Sequence, residues 1–72
     1  MDALKERNSL RAQVKAQIKY IEELRAAADK AQSLTARQSF LDSARDNEKR
    51  LAWLEFRLHA AEDQLNRESK GN

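Results

Sequence analysis

Two series of residues in this chain recur at alternating spacings of four and three. Ala3, Arg7, Leu10, Val14, Gln17, Ile21, Leu24 and Ala28 form the first. Phe40, Ala44, Asn47, Leu51, Leu54, Leu58, Ala61 and Leu65 form the second. This alternation is the a/d pattern of a heptad, which aligns side chains on one stripe of an α-helix. A strand alternates its side chains and would scatter the same residues over both faces. The chain has no proline and a single glycine, Gly71. The tight turns of a β-architecture therefore lack their usual residues, and the fold class expected is all-α.

The stripes are interrupted once, at AQSLTARQ, positions 31–38. Thr35 is placed to cap a second helix, with Gln38 three residues on in the capping-box position. Ser33 is an alternative cap. The expectation is a single domain over 1–72. Helix 1 covers about 3–32, a turn covers 33–35, helix 2 covers about 36–68, and the tail 69–72 frays. Helices of this length span roughly 45 Å at 1.5 Å per residue. Two helices joined by so short a turn lie antiparallel. Pairing Leu10 with Leu58, Val14 with Leu54, Leu24 with Ala44 and Ala28 with Phe40 keeps one register throughout. Every layer then joins an a position to a d position.

The flanks agree with that orientation. One edge of helix 1 reads Leu4, Arg11, Ile18, Arg25, and the facing edge of helix 2 reads Leu41, Glu48, Glu55, Glu62. The expected pairs are Arg11 with Glu55 and Arg25 with Glu48. Each exposed pair contributes only ~0–1 kcal/mol but opposes other orientations. Arg7, Gln17 and Asn47 are polar members of the stripes. They fit register control or snorkelling at a half-wet seam, with a polar layer inside a larger bundle as the sharper alternative. The hairpin core is expected at Leu10, Val14, Ile21, Leu24, Phe40, Leu51, Leu54, Leu58 and Leu65. Two helices alone cover one stripe each, so such chains gain by covering more apolar surface. The architecture expected is an antiparallel coiled-coil hairpin that pairs into a four-helix bundle.

Composition narrows the class further. Charged residues make up 36% of the chain and mean hydropathy is -0.93, too polar for a thick core yet too periodic for disorder. No apolar run approaches the ~20 residues of a membrane span. The first ten residues carry no signal-peptide core. With no cysteine, disulfides and thiolate metal sites are excluded. A cytoplasmic setting fits these features, with no membrane partner. Residues 1–36 hold seven Lys/Arg and five Asp/Glu, and residues 37–72 hold seven of each. Nucleic-acid binders usually concentrate their positive charge, so this balance argues against one.

Two aromatics break the pattern. Trp53 and Phe56, with Ala60, lie roughly 160–200° from the centre of the leucine stripe. These are c and f positions that a lone hairpin leaves in water. Tyr20 occupies a g position on helix 1, beside Ala16 and Ala27, and Arg50 and Arg57 are expected across from it. Trp, Tyr and Arg are the residues most enriched at binding hot spots, and an exposed aromatic cluster on a small protein marks a contact. The candidate partner-binding set is therefore Tyr20, Arg50, Trp53, Phe56, Arg57 and Ala60. The plainer account lays the Trp53 ring over arginine stems on its own helix. Leu4, Ile18 and Leu41 on the opposite edge form an alternative dimer seam.

Catalytic residues are not expected. The only histidine, His59, is at an exposed position, which leaves no Ser/His/Asp set, and no glycine-rich phosphate loop exists. Glu55, His59 and Glu62 share a helix face, but the spacing is not the Glu-x-x-His of di-metal bundles. Arg11 and solvent account better for both glutamates, so no metal and no other cofactor is expected. Helix 2 carries Arg37, Arg45, Lys49, Arg50 and Arg57 around Trp53, a set able to grip phosphates and stack a base. Asp42, Asp46, Glu48 and Glu55 are interleaved and would repel the same backbone. The function expected is a small non-enzymatic protein–protein interaction module. Its size and Met start suggest a bacterial or phage regulator that binds and modulates a larger protein, and it is also expected to self-associate. A nucleic-acid-associated module and a purely structural oligomerisation hairpin are the alternatives.

Overall fold

In a computed structural model, which describes residues 2–70, both stripes lie on helices. Helix α1 spans Ala3–Lys30 and helix α2 spans Leu34–Lys70. Arg11 pairs with Glu62 and Arg25 with Glu48. Residue numbers thus rise on one helix as they fall on the other, and the two run antiparallel.

The helix ends differ from the sequence expectation, for local reasons. Asp2 caps α1: its Oδ1 accepts the Leu4 N–H at 3.0 Å, and its carbonyl accepts the Glu6 N–H at 3.1 Å. At the other end Ala31 swings to φ -65, ψ 137 and its N–H bonds the Ala28 carbonyl. Helix α1 therefore stops at Lys30, not 32, and the connection is 31–33, not 33–35. Ser33, not Thr35, caps α2. Its Oγ accepts the Ala36 N–H at 3.1 Å, and its carbonyl accepts the Arg37 N–H at 3.0 Å. Gln38 makes no capping box because its amide donates to Asp42 Oδ1 at 2.9 Å. Among the described residues none has a positive φ, so the turn needs no glycine. Helix α2 also continues through Ser69 to Lys70, where a frayed tail was expected. Gly71 and Asn72 lie outside the described residues.

The seam follows the stripes. Every stripe residue is buried or half-buried. Ala3, Leu10, Ile21, Leu24, Ala28, Ala44, Leu54 and Ala61 are buried. Val14, Phe40, Leu51, Leu58 and Leu65 are only half-buried, because a two-helix seam leaves one flank of each layer open. The buried residues fall into two clusters. Leu10, Leu54 and Ala61 gather Val14 and Leu58, while Ile21, Leu24 and Ala44 gather Phe40 and Leu51. A polar step divides them. Gln17 Nε2 donates to Asn47 Oδ1 at 2.6 Å, and Asn47 Nδ2 donates to the Ser43 carbonyl at 2.8 Å. Both amide NH2 groups thus have acceptors, and among the described residues no buried side-chain N or O atom lacks a partner, so the half-buried polar pair carries little desolvation cost. Arg7 instead turns its guanidinium to Asn8 Oδ1 at 3.1 Å while its stem lines the seam.

The result is a rod of 59 × 17 × 15 Å with a radius of gyration of 16.6 Å, against about 11 Å for a compact domain of this length. Its accessible surface is 5738 Å², where a compact protein of this mass exposes about 4,600 Å². Among the described residues no helix is long and apolar enough to cross a membrane.

Urea unfolding checks both the cap and the seam. Ser33→Ala is expected to cost about 1 kcal/mol, and Thr35→Ala clearly less; the reverse order would restore Thr35 as the cap. Leu54→Ala is expected to cost about 2–4 kcal/mol through the cavity it leaves. Leu34→Ala, at an exposed position, should stay within about 0.5 kcal/mol.

Candidate functional site

Helix α2 places Trp53, Phe56 and Ala60 at steps of three and four on the side turned away from α1. Trp53 is 54% exposed and Phe56 73%, while Ala60 and Arg50 are also exposed. The aliphatic stripe occupies the inner side of α2, so these aromatics have no place in the seam.

One side chain ties this face to the rest of the hairpin. The Arg57 guanidinium carbon lies 5.2 Å from the Trp53 ring centroid, the distance of a cation–π contact. The same guanidinium donates from Nη2 to Glu6 Oε1 at 3.1 Å. Trp53 and Arg57 are four apart on one helix and so meet directly, whereas Glu6 reaches across from α1. An exposed ion pair contributes ~0–1 kcal/mol and an exposed cation–π contact about 0.5–1 kcal/mol. Sharing one guanidinium, they hold Arg57 over the indole. The aromatic ring thus lies under the guanidinium itself and remains half open to solvent.

The structure does not bring Tyr20 into this cluster. Tyr20 is 49% exposed, but Arg57 sits on Glu6, two heptads before Tyr20. In the same register Arg50 is level with Gln13, and Tyr20 with Ser43. The expectation that Arg50 and Arg57 face Tyr20 is therefore corrected. The opposite edge shows the same displacement. Arg11 binds Glu62 at 3.0 Å, not Glu55, because flanking pairs keep one offset along the whole seam. Arg25 with Glu48 obeys that offset, and Arg11 with Glu55 would break it by a heptad.

Leu4, Ile18 and Leu41 are exposed on that edge but stand apart. Leu4 and Ile18 are separated by about 21 Å of helix. Ile18 helps line a depression of about 310 Å³ with Ile21 and Leu51, flanked by the Arg25–Glu48 pair. Leu34 was not singled out by pattern, yet it is 86% exposed. It opens α2 beside Leu41, in a depression of about 930 Å³ along the first turns of the helix. Its heptad position, seven before Leu41, was the available signal.

Arg7, Arg11, His59, Glu62 and Asp63 line one open depression along the seam edge. Glu62 is engaged by Arg11, and His59 is exposed. Among the described residues no three His, Asp or Glu side chains are grouped as metal ligands would be.

The acidic residues are sorted by edge. Glu48, Glu55 and Glu62 all share the heptad position on the edge facing Arg11 and Arg25. Between Asp46 and Asp63, the outer side of α2 carries Lys49, Arg50, Ala52, Trp53, Phe56, Arg57, His59 and Ala60. Residues interleaved with acids along the chain are separated from them in space. In comparisons with family models, with curated proteins and with solved structures, nothing matches this chain.

Arg57→Ala removes both the lid on Trp53 and the Glu6 pair. Acrylamide quenching of tryptophan fluorescence is expected to rise, with circular dichroism unchanged. Quenching equal to that of the unmodified chain would show that Arg57 does not cover the indole.

Proposed function

We propose that this chain is a non-enzymatic protein–protein interaction module that works through the outer face of α2. The carrying observation is the exposure of Trp53 and Phe56 on the outer side of α2, which between Asp46 and Asp63 supplies no acidic residue of its own. Large aromatics in water cost free energy that docking recovers, at about 25 cal/mol per Å² of apolar area removed. Trp53 is already held by Arg57, so little rotamer freedom is lost when it is covered. Phe56 and Ala60 extend the anchor, and Arg50, three residues before Trp53 on the same helix, borders it. In its fullest form the module is a small regulator that engages a larger protein.

The runner-up is a nucleic-acid-associated module, favoured by the placement of Lys49, Arg50 and Arg57 around Trp53 with Glu48 and Glu55 on another edge. It ranks second because Glu6 neutralises Arg57, and because Asp46 and Asp63 close the stretch at both ends.

A photo-crosslinking benzoylphenylalanine at position 56, compared with one at Glu22 on α1, tests the proposal in cells expressing the chain. Discrete protein adducts from position 56 and none from position 22 are expected. Nucleic acid in the position 56 adduct would promote the second reading. No adduct at position 56, or equal adducts at both positions, would defeat the interaction face.

A further inference from the structure

The outer side of α2 carries a second stripe, opposite the first. Asp46, Lys49, Trp53, Phe56, Ala60, Asp63 and Arg67 follow one another at spacings of three and four. All are exposed, and none has a place in the hairpin seam. Their order is symmetric about Phe56. Trp53 lies three residues before it and Ala60 four after. Lys49 and Asp63 lie seven to either side. Asp46 and Arg67 lie ten before and eleven after. Displacements that match to within one residue match to within about 1.5 Å along the axis.

We propose that this face takes a second copy of the chain, with α2 packed antiparallel on α2 of the partner about a two-fold axis at Phe56. The inference rests on the reading of this surface as an interaction face and names its occupant. The axis sets Phe56 against Phe56. It sets the large Trp53 against the small Ala60 of the other copy, twice by symmetry. Lys49 meets Asp63, and Asp46 meets Arg67, also twice. An isologous interface requires this kind of self-complementarity, in which each patch supplies what its copy lacks. A parallel arrangement would stack Lys49 on Lys49 and Asp63 on Asp63, so the charges select the antiparallel one. Arg57 approaches the axis from both copies, and each is already paired with Glu6 of its own chain at 3.1 Å. The extended shape leaves the surface to do this. The hairpin exposes 5738 Å², about 1,100 Å² beyond a compact protein of its mass, and a standard interface covers about 800 Å² per partner.

Charge exchange within one chain tests the arrangement, with mass read by light scattering over a dilution series and helicity by circular dichroism. The unmodified chain should have twice its 8.3 kDa mass at high concentration. Lys49→Asp leaves two acids facing two acids across the axis, and Asp63→Lys leaves two bases facing two bases. Each alone should weaken the dimer by about tenfold or more. The double variant Lys49→Asp/Asp63→Lys should restore it. Mixing the two single variants should also restore it, as a heterodimer in which both contacts are opposite in sign. That mixing arm holds even if one variant is less helical alone. A dimer that neither single variant weakens would overturn the proposal and move the seam to another face, such as the edge of Leu4, Ile18 and Leu41. A chain that stays at 8.3 kDa would overturn it as well. Adducts at position 56 with a larger protein would then leave the interaction face standing, and their absence would remove that too.

Discussion

Leu54 is the largest side chain that water does not reach, and it sits with Leu10 and Ala61 in a seam made from one stripe per helix. That geometry governs everything else. A stripe shields only what lies directly between two cylinders, so half of the leucine layers remain partly wet. Four of the buried residues are alanines, which let the helices approach but add little apolar area. The Gln17–Asn47 step breaks the seam into two short clusters. It also fixes their relative position, since a slip of one heptad would leave both amides against apolar neighbours. The molecule is thus held in register more firmly than it is held together.

The seam was legible because a heptad stripe is a one-dimensional signal. Period and phase can be read from the chain, and every stripe residue lies where the phase puts it. The helix ends were less legible. Thr35 and Ser33 are both good capping types, and the choice depends on where the backbone leaves Ala31, which no residue type announces. The flanking pairs were legible in kind but not in offset. Basic opposite acidic follows from composition, whereas Arg11 with Glu62 follows from how far each edge is displaced from the seam. The contact of Trp53 with Arg57 follows from their spacing. Its third member, Glu6, could be found only after α1 was laid against α2.

Interleaving in sequence proved a poor guide to electrostatics. Glu48 and Glu55 alternate with Lys49, Arg50 and Arg57 along the chain, which suggests a mixed surface. On the helix the acids fall to one edge and the bases to another. Glu48 is paired with Arg25 and, on the same edge, Glu62 with Arg11. A salt-bridged edge and a basic aromatic face therefore stand on different sides of the same helix.

The exposed pole at the turn acquires a different meaning under two-fold pairing. Leu34 lies 22 residues before Phe56 in α2, or about 33 Å of helix. An antiparallel pair centred at Phe56 would carry one such pole at each end, separated by about 65 Å. Each pole would overhang the other copy and keep Leu34 and Leu41 in the open. A ligand recognising the pole would meet it twice on one particle, facing opposite directions. Avidity, or the tethering of two targets at a set separation, would then follow from chain geometry with no added contact.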